Sequence, residues 1–110
     1  MSIPTRLVLT RGDTRTITLT MDAGAGLDTA GVKLTARVGA EDDDAVWAKD
    51  QDDMATTDTT AAYTLTASDW DAWEAAGEPE GMVYDFEVTV GTVVTTQARG
   101  TIRVLWDVSR

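Results

Sequence analysis

The chain has no cysteine and no histidine among its 110 residues. Without cysteine, it can form neither disulfide bonds nor thiolate metal sites. Without histidine, it lacks the commonest general base and metal ligand, and with it the Ser–His and Cys–His nucleophile pairs. These absences close most hydrolase mechanisms to a lone copy of the chain. We therefore expect a protein that is not an enzyme and that uses no metal and no cofactor.

Positive charge is also scarce, with 9 lysines and arginines against 19 acidic residues and a net charge of −10. Nucleic-acid binding requires a cationic face, so DNA or RNA is not an expected partner. No apolar run approaches a membrane span, and the first residues lack the apolar core of a signal peptide. We expect no membrane partner, and a product that stays in the cytoplasm unless it leaves as part of a particle.

The strongest pattern that is present lies between Gly81 and Trp106, where apolar and polar residues alternate with a period of two on either side of a turn at Gly91-Thr92. This period predicts two β-strands, each with one apolar face. The predicted apolar face consists of Met82, Tyr84, Phe86, Val88 and Val90 in the first strand and Val94, Ala98, Ile102, Val104 and Trp106 in the second. Such a hairpin must be covered by a second layer.

Shorter stretches of strand character precede this hairpin, namely Thr5 to Thr10, Thr14 to Met21, Val32 to Val38, Ala45 to Lys49 and Ala62 to Thr66. The residues expected to point into the core from this part of the chain include Ile17, Leu19, Leu34 and Val38. Many short strands separated by turns favour an all-β, immunoglobulin-like antiparallel β-sandwich. With 110 residues, the chain has the size of one domain, residues 1–110.

One segment, Ser68 to Ala76, departs from the strand pattern and predicts a short helix at the crossing before the penultimate strand. Ser68 is the expected N-cap, with Asp71 three residues later as in a capping box, and Gly77 is the expected stop. Trp70 and Trp73 are three residues apart and share a face of this helix. Two turns can hardly bury both indoles, so at least one is expected to contact a partner.

Tryptophan is the residue most often found at interface hot spots, and the candidates for partner binding are Trp70, Trp73 and Trp106. Together with Trp47, these residues could instead form a sugar-stacking platform or fill the core.

Two other motifs resemble known binding motifs but are expected to have no binding role. Arg11-Gly12-Asp13 matches an integrin-binding tripeptide but is expected to be a turn, and the acidic run Glu41 to Asp44 lacks the spacing of a calcium loop.

With the strands placed, the chain resembles the immunoglobulin-like N-terminal domain of tailed-phage baseplate upper proteins and related small virion proteins. The matching positions are Gly12-Asp13-Thr14 before a Thr-rich strand, Leu27-Asp28-Thr29-Ala30-Gly31, Leu65-Thr66-Ala67-Ser68-Asp69, Gly81 to Val88, and Gly100 to Val104 closing on Asp107-Val108-Ser109. Their order and spacing cover nearly the whole chain.

This resemblance implies a structural component of a tailed-virus virion that binds other virion proteins, with a tail or baseplate location favoured and self-association in the particle as an option. The alternatives are a decoration protein on the capsid, which would bind the major capsid protein, and a carbohydrate-binding or adhesion module. The chain departs from the resemblance because it ends where a baseplate protein would continue into further modules. The implied localisation is the virion.

Overall fold

The computed structural model describes residues 6–38 and 45–105, with the backbone alone at 6, 97 and 98. These residues form eight strands, one α-helix and a 3-10 turn (Gln51–Asp53). The strands are β1 (Arg6–Thr10), β2 (Thr16–Thr20), β3 (Gly31–Arg37), β4 (Trp47–Asp50), β5 (Ala55–Thr56), β6 (Thr60–Thr64), β7 (Gly81–Val90) and β8 (Val93–Leu105). The helix α1 (Ala67–Ala75) lies between β6 and β7. In the described part of the chain, no helix has the length and apolar character needed to cross a bilayer.

The strands form two sheets, one of five strands in the order β1-β8-β7-β3-β4 and one of three in the order β2-β6-β5. This confirms the predicted all-β sandwich with one short helix before the penultimate strand. The order corresponds to the B-E-D sheet facing the G-F-C-C′ sheet in immunoglobulin-type sandwiches. One pair departs from the antiparallel prediction, since β1 runs parallel to β8, with Leu7 opposite Ile102 and Leu9 opposite Val104.

The core lies between the two sheets and follows the predicted alternation in the central strands. The buried residues of the hairpin include Met82, Tyr84, Phe86, Val88, Ile102 and Val104, and the remaining strands bury Leu7, Leu9, Ile17, Leu19, Val32, Leu34, Ala36 and Tyr63. Phe86 is fully buried and pairs with Leu34 of β3 at the centre of the larger sheet. Because its ring is buried, Phe86 makes one of the large hydrophobic contributions to the stability of the folded state.

Val38 was predicted to be buried and is instead 46% exposed. The ladder between β3 and β7 ends at the pair Arg37–Val83, so Val38 lies beyond the last paired residue and the opposite sheet does not cover it. Alternation alone carries no information on where a ladder stops.

The helix begins one residue earlier than predicted, and its N-cap is Thr66 rather than Ser68. The Thr66 backbone N–H donates to Asp69 Oδ2 at 2.8 Å, which makes Asp69, and not Asp71, the acidic partner of the capping box. Asp69 occupies the capping position because its carboxylate is also held by Tyr63 and Lys49. The predicted stop is confirmed, because Gly77 has a φ of +94°, a conformation that glycine adopts without steric penalty.

Truncation of the central aromatic side chain tests the assignment of the core face. We expect Phe86→Ala to lower the free energy of unfolding by about 3–5 kcal/mol, because a large buried ring is lost and a cavity remains. Val8→Ala in β1 is the control, since Val8 is 42% exposed and should change stability by less than about 1 kcal/mol. Urea unfolding of the three proteins measures both values, and equal midpoints for the two variants would contradict the assignment.

Candidate functional site

The two helix tryptophans, which sequence reasoning assigned to partner binding, are both buried. Trp70 is 5% exposed and Trp73 is 1% exposed. Trp47 of β4 completes a row of three indoles, with edge-to-face contacts and ring-centroid distances of 5.8 Å from Trp47 to Trp70 and 5.6 Å from Trp70 to Trp73. Such contacts between aromatic rings stabilise beyond their burial alone.

Each indole N–H in this row donates to a backbone carbonyl. Trp47 bonds Asp69 at 2.7 Å, Trp70 bonds Asp13 at 2.9 Å and Trp73 bonds Pro79 at 2.7 Å. A buried indole is satisfied once its single donor has a partner. The expectation that two helical turns cannot bury both tryptophans is therefore wrong, because a third tryptophan packs against them.

The rings of Trp70 and Trp73 are therefore not accessible at the protein surface. Partner contact through Trp70 or Trp73 remains a prediction, but neither indole has an exposed ring for a partner or for sugar stacking. Trp106 lies outside the described residues. The helix end of the sandwich is thus a packed hydrophobic unit.

A polar network beside the indoles fixes the helix to the sandwich. Asp69 is 2% exposed and receives a hydrogen bond from the Tyr63 hydroxyl at 2.5 Å and an ion pair from Lys49 Nζ at 3.0 Å. Burial raises the pKa of Asp69, but the bonds from Tyr63, the Thr66 N–H and Lys49 outweigh it and hold that pKa below its usual value. Each member has a partner within the protein, so this network stabilises the fold.

Removing the buried carboxylate tests this role. We expect Asp69→Asn to lower the free energy of unfolding by about 1.5–3 kcal/mol at pH 7, the range for a hydrogen bond to a charged group. Because the pKa of Asp69 is lowered in the folded protein, its contribution is present above pH 3.8 and is lost as the pH falls below that value. Unfolding curves of wild type and Asp69→Asn should therefore converge in acid.

Asp71→Asn is the matched control for this comparison, since Asp71 is an exposed carboxylate on the same helix. Asp71→Asn should change the free energy of unfolding by less than about 0.5 kcal/mol, both at pH 7 and in acid. A difference between wild type and Asp69→Asn that stays constant down to pH 2 would exclude the carboxylate as its source.

The two remaining sequence motifs differ in what the structure describes of them. Arg11-Gly12-Asp13 lies at the turn after β1, where Arg11 is paired with Glu74 of α1 and the Asp13 carbonyl is bonded by Trp70. The run Glu41 to Asp44 falls outside the described residues. Across residues 6–38 and 45–105, no cluster of acidic side chains is arranged to hold a metal ion.

Among the described residues, the most exposed large apolar side chains lie at the tip of the β7–β8 hairpin. Val90 and Val93 are each 64% exposed and Val94 is 57% exposed, whereas Val88, two residues before Val90, is 5% exposed. The apolar alternation of β7 therefore continues past the point where the smaller sheet covers it. We call Val90, Val93 and Val94 the hairpin tip.

The parity of the second strand changes at a β-bulge next to this tip. Phe86 pairs with Ala98 but Glu87 pairs with Thr96, so Gln97 is an additional residue in β8. Directly opposite residues share a face, and Val93 therefore faces the same side as Val90, while Val94, opposite Thr89, faces the other side. The prediction that Val94 shares the core face of Ile102 is wrong for this reason.

The backbone of β8 is also open along this region. β8 pairs with β7 on one side over most of its length, but β1 covers its other side only from Thr101 to Leu105. In the described chain, residues 93–100 consequently have a strand neighbour on one side only, and we call them the open edge. A free edge offers unpaired backbone N–H and C=O groups to another strand.

The composition of the open edge favours pairing. Its first four residues, Val93 to Thr96, are β-branched, uncharged and exposed. Proteins usually protect such edges with lysine, proline or a bulge, and in the described chain the bulge at Gln97 and the charge of Arg99 come only after these residues. Sequence reasoning missed this surface because it assigned Val90 and Val94 to the core.

Comparisons with known proteins do not identify the chain. A scan against models of protein families and a search of curated proteins both found no match.

Proposed function

We propose that this protein is a non-enzymatic structural component of a tailed-virus virion, a subunit of the tail or baseplate that binds other virion proteins through its open edge. The observation that carries the proposal is the exposed, uncharged, β-branched strand of residues 93–96, which has a strand neighbour on one side only in the described chain. Addition of a partner strand to such an edge is a common mode of protein recognition. The resemblance to virion immunoglobulin-like domains supplies the class of partner.

An unprotected edge with apolar side chains favours aggregation unless a partner covers it. A subunit that is present in many copies within one particle can use such an edge to bind its partner. The partner strand provides backbone hydrogen bonds, and the valines at the tip provide apolar contact area. The net charge of −10 keeps the unassembled subunit soluble in the meantime.

Location in the particle is the first test. Antibodies raised against the purified protein should label tailed particles from the virus that encodes it, and labelled tails and heads can be separated by fractionation. Signal in the tail fraction is the expected result. Signal in heads would assign the protein to capsid decoration, and particles without the protein would contradict the virion function itself.

The contact surface is tested separately with charged variants of the hairpin. Val93→Lys/Val94→Lys should reduce binding to particles that lack the protein by about tenfold or more, because lysine on an edge opposes strand addition and places charge in an apolar contact. Both side chains are largely exposed, so the melting temperature should change little. Val8→Lys is the control, since Val8 is exposed on the same sheet but away from the open edge. Equal binding by the double variant and by wild type would show that the partner uses another surface.

A further inference from the structure

A pocket of 290 Å³ lies on the outer face of the five-stranded sheet, the face that points away from the smaller sheet. Its lining contains the polar residues Thr35, Arg37, Asp85 and Arg99, together with Val83, Tyr84 and Gly100. This volume is just below the usual range of small-molecule pockets, about 300–1,000 Å³, and suits a small ligand. The pocket is separate from the hairpin tip and from the tryptophan row.

Strand register brings the polar residues together. Thr35 of β3 is opposite Asp85 of β7, and Asp85 is opposite Arg99 of β8, so these three residues form a row across adjacent strands. Arg37 is two residues beyond Thr35 on the same face of β3. The pocket is therefore built on the rigid centre of the sheet rather than on loops.

Three polar atoms of this pocket are buried and have no hydrogen-bond partner in the structure: Thr35 Oγ1, Arg37 Nε and Asp85 Oδ1. Thr35 is only 3% exposed, although it belongs to the outer face of the sheet. Buried polar groups in folded proteins are nearly always hydrogen-bonded, so a convergent set without partners indicates a bound group. Here the set offers a donor, an acceptor and a hydroxyl that can be either.

The charges define the chemistry of that group. Two guanidinium groups and one carboxylate line the pocket, which gives it a charge of +1 in a chain of net −10. Guanidinium groups match carboxylates in shape and bind them through paired hydrogen bonds. Asp85 accepts hydrogen bonds only, so a ligand carboxylate needs a donor next to it to satisfy Asp85 Oδ1.

The electrostatics of Asp85 agree with this requirement. Burial and the neighbouring Glu87 raise the pKa of Asp85, against the opposing effect of Arg37, Arg99 and Lys33. The ionised carboxylate is thus incompletely stabilised by its own surroundings. A donor supplied by a ligand would stabilise it.

We propose that this pocket binds a small carboxylate that carries an O–H or N–H donor on the neighbouring atom. The carboxylate lies between Arg37 and Arg99, and the donor bonds Asp85. Two sources have this chemistry: a free α-hydroxy acid, and the last residue of a partner chain, whose carboxylate is next to its own amide N–H.

Amide-resolved NMR titration of the full chain tests the proposal with three probes at matched ionic strength. Lactate represents the free hydroxy acid, N-acetylglycine represents a chain end, and propionate is the carboxylate without a donor. We expect saturable shifts at residues 35, 37, 85 and 99, with lactate or N-acetylglycine bound about tenfold more tightly than propionate. The tighter of the two donor-bearing probes identifies the source.

Variants separate the two halves of the site. Arg99→Met should weaken the binding of all three carboxylates by about tenfold. Asp85→Asn should abolish the preference for lactate or N-acetylglycine over propionate. Arg103→Met is the matched control, since Arg103 is an exposed arginine of β8 outside this pocket. No saturable shift at the four residues, or equal responses to lactate, propionate and chloride, would overturn the proposal.

Discussion

The pairing of β7 with β8 is the interaction on which the rest of the structure depends. β7 lies between β3 and β8, and its inward residues, Phe86 above all, fill the centre of the core. A slip of one residue would turn this apolar set toward solvent and place Asp85 and Glu87 in the core, so the register is strongly specified. The same register sets the row of Thr35, Asp85 and Arg99 on the opposite face of the sheet.

The bulge at Gln97 separates two regions of this long hairpin. From Arg99 to the end of β8, the alternation matches that of β7 and places Ile102 and Val104 in the core. From Val93 to Thr96, the parity is inverted and the strand is no longer constrained by packing between the sheets. A strand that is not required by the core can keep a sequence suited to another strand, which is why the open edge and the stable core coexist in one hairpin.

The two ends of the sandwich therefore differ in character. At the end where β7 begins, Trp73 bonds the Pro79 carbonyl, and the indole row with the Asp69 network closes the core. At the end where β7 turns into β8, Val90 and Val93 remain exposed. Every polar group of the Asp69 network has a partner inside the protein, while the open edge and the outer pocket present groups without one. The two proposed binding surfaces, the open edge and the outer pocket, therefore lie away from the helix.

The amino-acid sequence by itself determined the fold class, the main hairpin and most of the core, since a period of two and turn residues are local signals. It located the helix within one residue at each end, but it selected Ser68 as the cap, because the choice of Thr66 depends on Asp69 reaching Tyr63 and Lys49 from other elements. It also missed β5, whose two residues are too few to show a pattern.

Only the tertiary structure decided the burial of the tryptophans, the exposure of Val38 and Val94, and the position of both candidate surfaces. The fate of Trp70 depended on Trp47, more than twenty residues away, and that of Val94 on one inserted residue at Gln97. The outer pocket required three strands to be aligned side by side. Such long-range contacts are set by packing and register, and a periodic pattern within one strand does not encode them.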